Sequence, residues 1–368
     1  MRIHRIADPA GSDLWQELWR VDAVQHPCYL PTEFAAATTH FQPVYYLPAP
    51  LRYDRRRDTL SELIPATIVV TDDAGLVAGM PVTVERHVDG NRLSSFGRPL
   101  YLLRSGTADE YRTRLATNLI HNHLSELTAE YRTSGYHLRD FLVDGRLSPL
   151  SERILTDGGR VSPYFTQVID LAPSLDDLWL ALRGNFRRIL RKRGPEMDVR
   201  VVTAETVQQR HRDLLHRLHV AMRGREVRSP QYWQAVINSV RAGEGFLVVG
   251  VQDGAEIAAA SFACSSRYCF YSAAAHDPGQ RSIGLSHVLV WRAVEHAKRI
   301  GCGYLELGDR VYPGQHSYVA DKLQTISHFK AGFGGGAAVR MDVLSRSEDP
   351  EDAGSTAEQP ETTRWIGK

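Results

Sequence analysis

Lys330 is the first residue whose type and position raise a question of chemistry. In the stretch Asp321 to Gly332 and just beyond it, Leu323, Ile326 and Phe333 recur at helical spacing. Lys330, four residues after Ile326 and three before Phe333, falls within that apolar stripe. An ammonium directed inward can polarise an ester or thioester carbonyl and hold the negative charge that develops as an amine attacks. The same spacing also fits a lysine that snorkels from the helix end or pairs with a buried carboxylate. Glu306 and Asp309, on the preceding strand YLELGD and at its exit, are the candidate partners. Glu306 alternates with Leu305 and Leu307 and leaves the strand on the opposite face. There it either accepts a proton from the attacking amine or forms a structural salt bridge. Tyr268 and Tyr271, in the strand-like RYCFYSAAAH, point to opposite faces, so at most one enters a given cleft, and plain packing is the alternative for both.

Two further groups of residues suit an anion. Arg183, Arg187, Arg188, Arg191, Lys192 and Arg193 lie within 11 positions with no acid among them, and their helical spacing puts most on one broad face. Such a face suits phosphates of a nucleotide, a nucleotide-linked substrate or an RNA backbone, or is simply solvated. Arg281-Ser282-Ile283-Gly284-Leu285-Ser286 follows a strand and opens a helix. Backbone N–H groups at such a turn face a phosphate or a developing oxyanion, unless the turn is an ordinary capped helix start.

The elements that must position these residues repeat. ATIVV, the turn Asp72 to Gly75 and LVAGMPVT read as a hairpin, as do GFLVVGV, Gln252 to Ala255 and EIAAASFACSS, followed by one more strand. Each hairpin precedes a long helical pattern, TRLATNLIHNHLSELTAEYR and LSHVLVWRAVEHAKRI, and then a short strand, LRDFLVD and YLELGD. Hairpin, strand, helix, strand in both halves predicts an α/β (α+β) protein of two similar domains, each a mixed β-sheet flanked by helices. Between the halves SLDDLWLALRGNFRRILRKRG predicts one amphipathic helix with a basic face, capped by Ser174. The predicted boundaries are 1–163, 164–344 and an acidic, disordered tail over 345–368, where the residues are too polar to bury a core.

Composition excludes several classes. At 368 residues the chain exceeds what one core usually serves. Its net charge of +1 confines any nucleic-acid contact to a local patch. No apolar run approaches bilayer length and the start lacks a signal-peptide core, which predicts a cytoplasmic protein. Cys28, Cys264, Cys269 and Cys302 lack C-x-x-C spacing and read as free buried thiols, not a metal site. No H-E-x-x-H, G-x-S-x-G or Walker loop occurs, so metal hydrolysis, serine hydrolysis and triphosphatase chemistry are set aside. Only five of the 44 basic residues are lysine, so Lys330 stands among arginines that differ from it chemically.

The run Asn185 to Lys192, the turn and helix from Ser282 to Trp291, Tyr304 to Asp309, and above all His328-Phe329-Lys330-Ala331-Gly332-Phe333-Gly334-Gly335 resemble the FemABX-type branch of the GNAT acyltransferases. The last is similar to that family's F-K-x-x-F-G signature. The resemblance covers roughly residues 164 to 343, and the first half more faintly. It implies two GNAT-like domains in tandem and no tightly bound cofactor. It also implies aminoacyl-tRNA as co-substrate, an activated ester bound by Phe329 and Lys330, and transfer to a small amine or peptide acceptor, either a natural-product intermediate of the kind found in antibiotic biosynthesis or a cell-wall precursor. The Arg281 to Ser286 turn is similar to the GNAT pyrophosphate loop, with Ser286 in place of its last small residue, so acyl-CoA is the alternative donor. No helical arm insertion is visible, which weakens a cell-wall role. A catalytically silent RNA- or nucleotide-binding protein on the same fold is the reading from another class.

Overall fold

The computed structural model describes residues 1–7, 12–30, 60–88, 90–226, 228–280, 284–313 and 321–345. The predicted tail beyond residue 345 lies outside them. In the first half the elements are β1 (Arg2–Ile6), α1 (Asp13–Val21), β2 (Leu60–Pro65), β3 (Thr67–Asp72), β4 (Gly75–Met80), β5 (Thr83–His87), β6 (Gly90–Ser94), β7 (Leu103–Arg104), α2 (Glu110–Tyr131), β8 (His137–Asp140) and α3 (Pro149–Thr156). The second half comprises β9 (Arg160–Asp170), α4 (Leu175–Ala181), α5 (Gly184–Arg193), β10 (Asp198–Val202), α6 (Gln209–Arg223), α7 (Pro230–Arg241), β11 (Gly245–Gln252), β12 (Ala255–Cys264), β13 (Tyr268–His276), α8 (Leu285–Arg299), β14 (Tyr304–Asp309), α9 (Asp321–Ala331) and β15 (Gly336–Leu344). Among the described residues no helix is long and apolar enough to cross a membrane.

Both hairpins form where the sequence places them: β3 with β4 and β11 with β12, each antiparallel. The Asp72 carboxylate accepts from Ala74 N at 2.9 Å and fixes the first turn. The halves differ in how their strands assemble. An eight-stranded mixed sheet runs β10-β11-β12-β13-β14-β9-β15-β8, whereas the first half holds two small antiparallel sheets, β1-β3-β4-β7 and β2-β5-β6. The expectation of a mixed sheet in each half is therefore corrected for the first. Its parallel pairings among the described residues are isolated bridges, Leu93 with Tyr136 and Leu100 with Leu138. β8 goes instead to the edge of the large sheet, where Arg139 lies opposite Asp342 of β15.

The large sheet has two unlike faces. Leu305 and Leu307 turn into a core shared with Ile169, Leu178, Phe186 and α8. On the opposite face α6 and α7 cover one end with Leu214, Leu218 and Trp233 over Leu247 and Val249. At the other end the first half covers it through His26, whose ring stands 5.2 Å from Tyr268 and 5.4 Å from Phe270.

Two helical expectations need correction. The basic segment is two helices: Ser174 caps α4 by accepting from Asp177 N, but Leu182 is extended at φ −61°, ψ 143° and α5 starts afresh. The break is stabilised because the Arg183 N–H donates to Gly332 O at 2.9 Å, replacing a helical bond. The stripe expected on α9 is also rotated. Ile326 is 39% exposed, and the inward position is Ser327, whose hydroxyl exchanges hydrogen bonds with the backbone of Val311. Lys330, one turn on from Ser327, still faces the sheet.

At Gly335, in the turn into β15, φ is +71° and an added Cβ would lie 2.1 Å from Val168 O. Gly335→Ala is expected to destabilise the fold by about 2–4 kcal/mol, from left-handed backbone strain plus overpacking, measured by denaturant unfolding.

Candidate active site

The parallel pair β13–β14 is short: Tyr268, Cys269 and Phe270 face Tyr304, Leu305 and Glu306, and beyond them the two strands part. β13 continues along β12, and β14 along β9. Lys330 meets β14 beyond that parting. Its Nζ donates to Asp309 O at 3.3 Å, and a Cβ added to Gly308 would lie 3.2 Å from the same Nζ. The inward lysine anticipated from spacing is thus present, half-buried. Burial pushes its ammonium below its ordinary value, while Asp309 and Glu306 pull it back up.

The two carboxylates of β14 have different surroundings. Thr166 Oγ1 donates to Glu306 Oε1 at 2.7 Å, and His26 Nε2 stands 3.3 Å and Arg340 Nη2 3.8 Å from Oε2. Burial alone would raise Glu306, but His26, Arg340 and Thr166 outweigh it and hold the carboxyl at about 2. The tautomer of His26 follows from its other nitrogen. Nδ1 faces the Cys28 N–H at 3.3 Å and must accept, so Nε2 carries the proton and points it at Glu306. A doubly protonated ring would set two N–H groups against each other, consistent with burial lowering His26. Asp309 accepts instead from the Tyr164 hydroxyl. Burial raises Asp309, opposed by Lys330, Tyr164 and Arg139.

Tyr268 joins the Glu306 group, its hydroxyl accepting from Arg340 Nη2 at 2.8 Å, whereas Tyr271 packs on Phe262 in the opposite core. The opposite-face expectation for this pair holds. Phe329 turns the other way from Lys330, into a ring cluster with Phe186, Phe333 and His287 at 5.8, 5.2 and 5.0 Å. Burial in that cluster pushes His287 down to about 4, so the imidazole is neutral. Gly332 makes the cluster possible, since a Cβ there would come within 2.3 Å of the Phe186 ring.

The basic run does not form one continuous face. Arg183 donates to His328 Nε2 at 2.7 Å and to His328 O at 3.0 Å, Arg187 donates to Leu180 O at 2.8 Å, and Arg193 pairs with Glu196 at 2.6 Å. Arg188, Arg191 and Lys192 stay exposed, with Arg191 stacked 5.8 Å over Trp179. Gly284 precedes α8 and Ser286 sits in its first turn. Ile189 and Arg193 of α5 lie beside Gly284, which brings the basic helix to the start of α8. Arg281 lies outside the described residues, as do Ser282 and Ile283. The four cysteines are free thiols, three of them buried.

His26, Arg139, Tyr164, Thr166 and Arg340 complete the polar cluster and were not singled out by sequence. Tyr164 and Thr166 alternate on one face of β9, so their two hydroxyls reach the two carboxylates of β14; that alternation is the signal available in advance.

Residues 181–318 match the family model described as an acetyltransferase (GNAT) domain. No curated protein matches the chain by sequence. Among solved structures, the chain is similar to FemX at 10% identity, with a TM-score of 0.66 over 93% of this chain and 97% of that one. A conserved protein of unknown function from Bacteroides thetaiotaomicron aligns with a TM-score of 0.57 at 8% identity, over 93% and 99%. The C-terminal domain of a putative lysylphosphatidylglycerol synthetase from Agrobacterium fabrum aligns at 0.50 and 15%, over 77% and 85%.

Ionised Glu306 and Asp342 both hold at about 2, below ordinary values of 4.5 and 3.8. Their contribution to stability is present above about pH 4.5 and is lost as the pH falls through about 2. Denaturant titrations at stepped pH should show unfolding free energy declining across that window, and Glu306→Gln should lower stability already at pH 7 by removing the carboxylate beside half-buried Arg340.

Proposed function

We propose that this chain, which has a FemX-like tandem GNAT fold with a GNAT domain over residues 181–318, transfers an aminoacyl group from aminoacyl-tRNA to an amine acceptor. The observation that carries the reading is Lys330, an ammonium half-buried at the parting of β13 and β14 and flanked by Phe329. In the reaction the acceptor nitrogen attacks the ester carbonyl, the C–N bond forms and the C–O bond to the ribose breaks. Lys330 holds the negative charge that builds on the carbonyl oxygen. Phe329, seated on the opposite side against Phe186, Phe333 and His287, anchors the end of α9 and so holds Lys330 toward the sheet. Exposed Arg188, Arg191 and Lys192 take phosphates of the tRNA end, while Arg183 and Arg187 brace α5.

The attacking amine must lose a proton and the departing ribose oxygen must gain one. Asp309 suits that transfer better than Glu306, because burial raises it above its ordinary value while Glu306 is held ionised at about 2 by three partners. Glu306 and Tyr268 then keep the sheet in register beneath the site. The tRNA donor places the reaction in the cytoplasm, with a natural-product intermediate or a cell-wall precursor as the amine.

The second reading is an acyl-CoA-dependent N-acyltransferase, favoured by the GNAT match and by Gly284 at the start of α8. Label transfer from a radiolabelled aminoacyl-tRNA pool, run beside labelled acetyl-CoA with small amines and peptidoglycan precursors as acceptors, separates the two. RNase-sensitive transfer supports the tRNA reading, and transfer from acetyl-CoA alone replaces it. Lys330→Ala is expected to lower kcat about 10²–10³-fold while leaving the fold intact by circular dichroism, and wild-type turnover in that variant removes Lys330 from the mechanism.

A further inference from the structure

A continuous chain of contacts runs from the first half of the molecule to Lys330. Arg139, on β8, holds Asp342 of β15 through two parallel bonds, Nε to Oδ1 at 2.8 Å and Nη2 to Oδ2 at 3.0 Å, with both side chains buried. His137 Nε2 stands 3.0 Å from the same Oδ1. With its edge engaged by Asp342, the guanidinium lays its face on the Tyr164 ring, 3.7 Å from the centroid. A face contact fixes a phenol ring without competing for its hydroxyl hydrogen. That hydrogen is donated to Asp309, whose backbone oxygen in turn accepts from Lys330.

We propose that Tyr164 is a positioning residue that keeps Asp309 ionised beside Lys330, and that Arg139 clamps it there, so that the first half governs the charge state of the site in the second. The inference rests on Asp309 as the proton acceptor of the proposed transfer. Among the described residues, the charged and titratable groups facing Asp309 are Tyr164 from β9, Arg139 from β8, Lys330 from α9 and Glu306 from its own strand. Among them Tyr164 supplies a hydrogen bond to the carboxylate, which favours the ionised form and opposes the effect of burial.

The test pairs Tyr164→Phe, which keeps the ring under Arg139 and removes the hydroxyl, with Arg139→Lys, which keeps a charge opposite Asp342 and removes the flat face. Asp309 is titrated by carboxyl-carbon NMR, assigned with Asp309→Asn, and kcat against pH is measured with aminoacyl-tRNA as donor. Without the donated hydrogen the carboxylate is less stable, so its midpoint rises. An upward shift of about one to two pH units is expected in Tyr164→Phe, the size of one hydrogen bond to a charged group. A smaller shift in the same direction is expected in Arg139→Lys. The acid limb of kcat should move up with the NMR midpoint while KM for the donor stays the same. An Asp309 midpoint unchanged in Tyr164→Phe overturns the proposal. A shifted midpoint in an enzyme that transfers nothing from aminoacyl-tRNA leaves the coupling standing and removes the proposed function instead.

Discussion

Glu306 is a charge in the middle of a sheet, and a buried carboxylate is stable only where enough donors and cations surround it. Here they come from four places: Thr166 on β9, Arg340 on β15, Tyr268 on β13 through Arg340, and His26 from the first half. The last is 280 residues away in sequence. Satisfying this one group therefore fixes the register of three neighbouring strands and seats the first half against the sheet. Phe141 contributes from the same side, lying 4.9 Å from the His26 ring and 4.8 Å beneath the Arg340 guanidinium.

The strand that carries Glu306 also divides the molecule's work. Leu305 and Leu307 go to the apolar core under α8, whereas Glu306 goes to the polar face that meets the first half. A bulge between Glu306 and Gly308 where β14 pairs with β9 then shifts the alternation and brings Asp309 to the polar side near Tyr164. The result is two carboxylates on one strand with opposite tendencies, one held ionised by a full set of partners and one raised by burial. Environment, not residue type, separates them.

On the other face, the break between α4 and α5 has a comparable effect. A continuous helix would carry its basic residues past the end of α9. The extended Leu182 and Arg183 instead let Phe186 drop onto Gly332 and meet Phe329 and Phe333, and they let Arg183 reach His328. The ring cluster that anchors the end of α9 and the exposed cations of α5 are thus products of the same interruption.

Much of this was legible from residue order, because it depends on local patterns. The hairpins, the two long helices, Ser174 as a cap and the opposite faces of Tyr268 and Tyr271 all follow from local pattern, whereas Lys330 faces the sheet although the stripe that suggested it is rotated. What the chain did not reveal were contacts that only three-dimensional packing creates. Arg139 and Asp342 are 203 residues apart, and His26 lies in a short Gln-His-Pro-Cys stretch with no periodic signal. The break at Leu182 is held by a bond from Arg183 to Gly332, which helical spacing cannot register. The rotation of α9 follows from Ser327 bonding to Val311, again a partner outside the helix. Sequence thus determined which side chains face the sheet wherever local period sufficed. Tertiary structure decided which of them meet, and hence the charge each one carries, because burial and charged partners act through space and not along the chain.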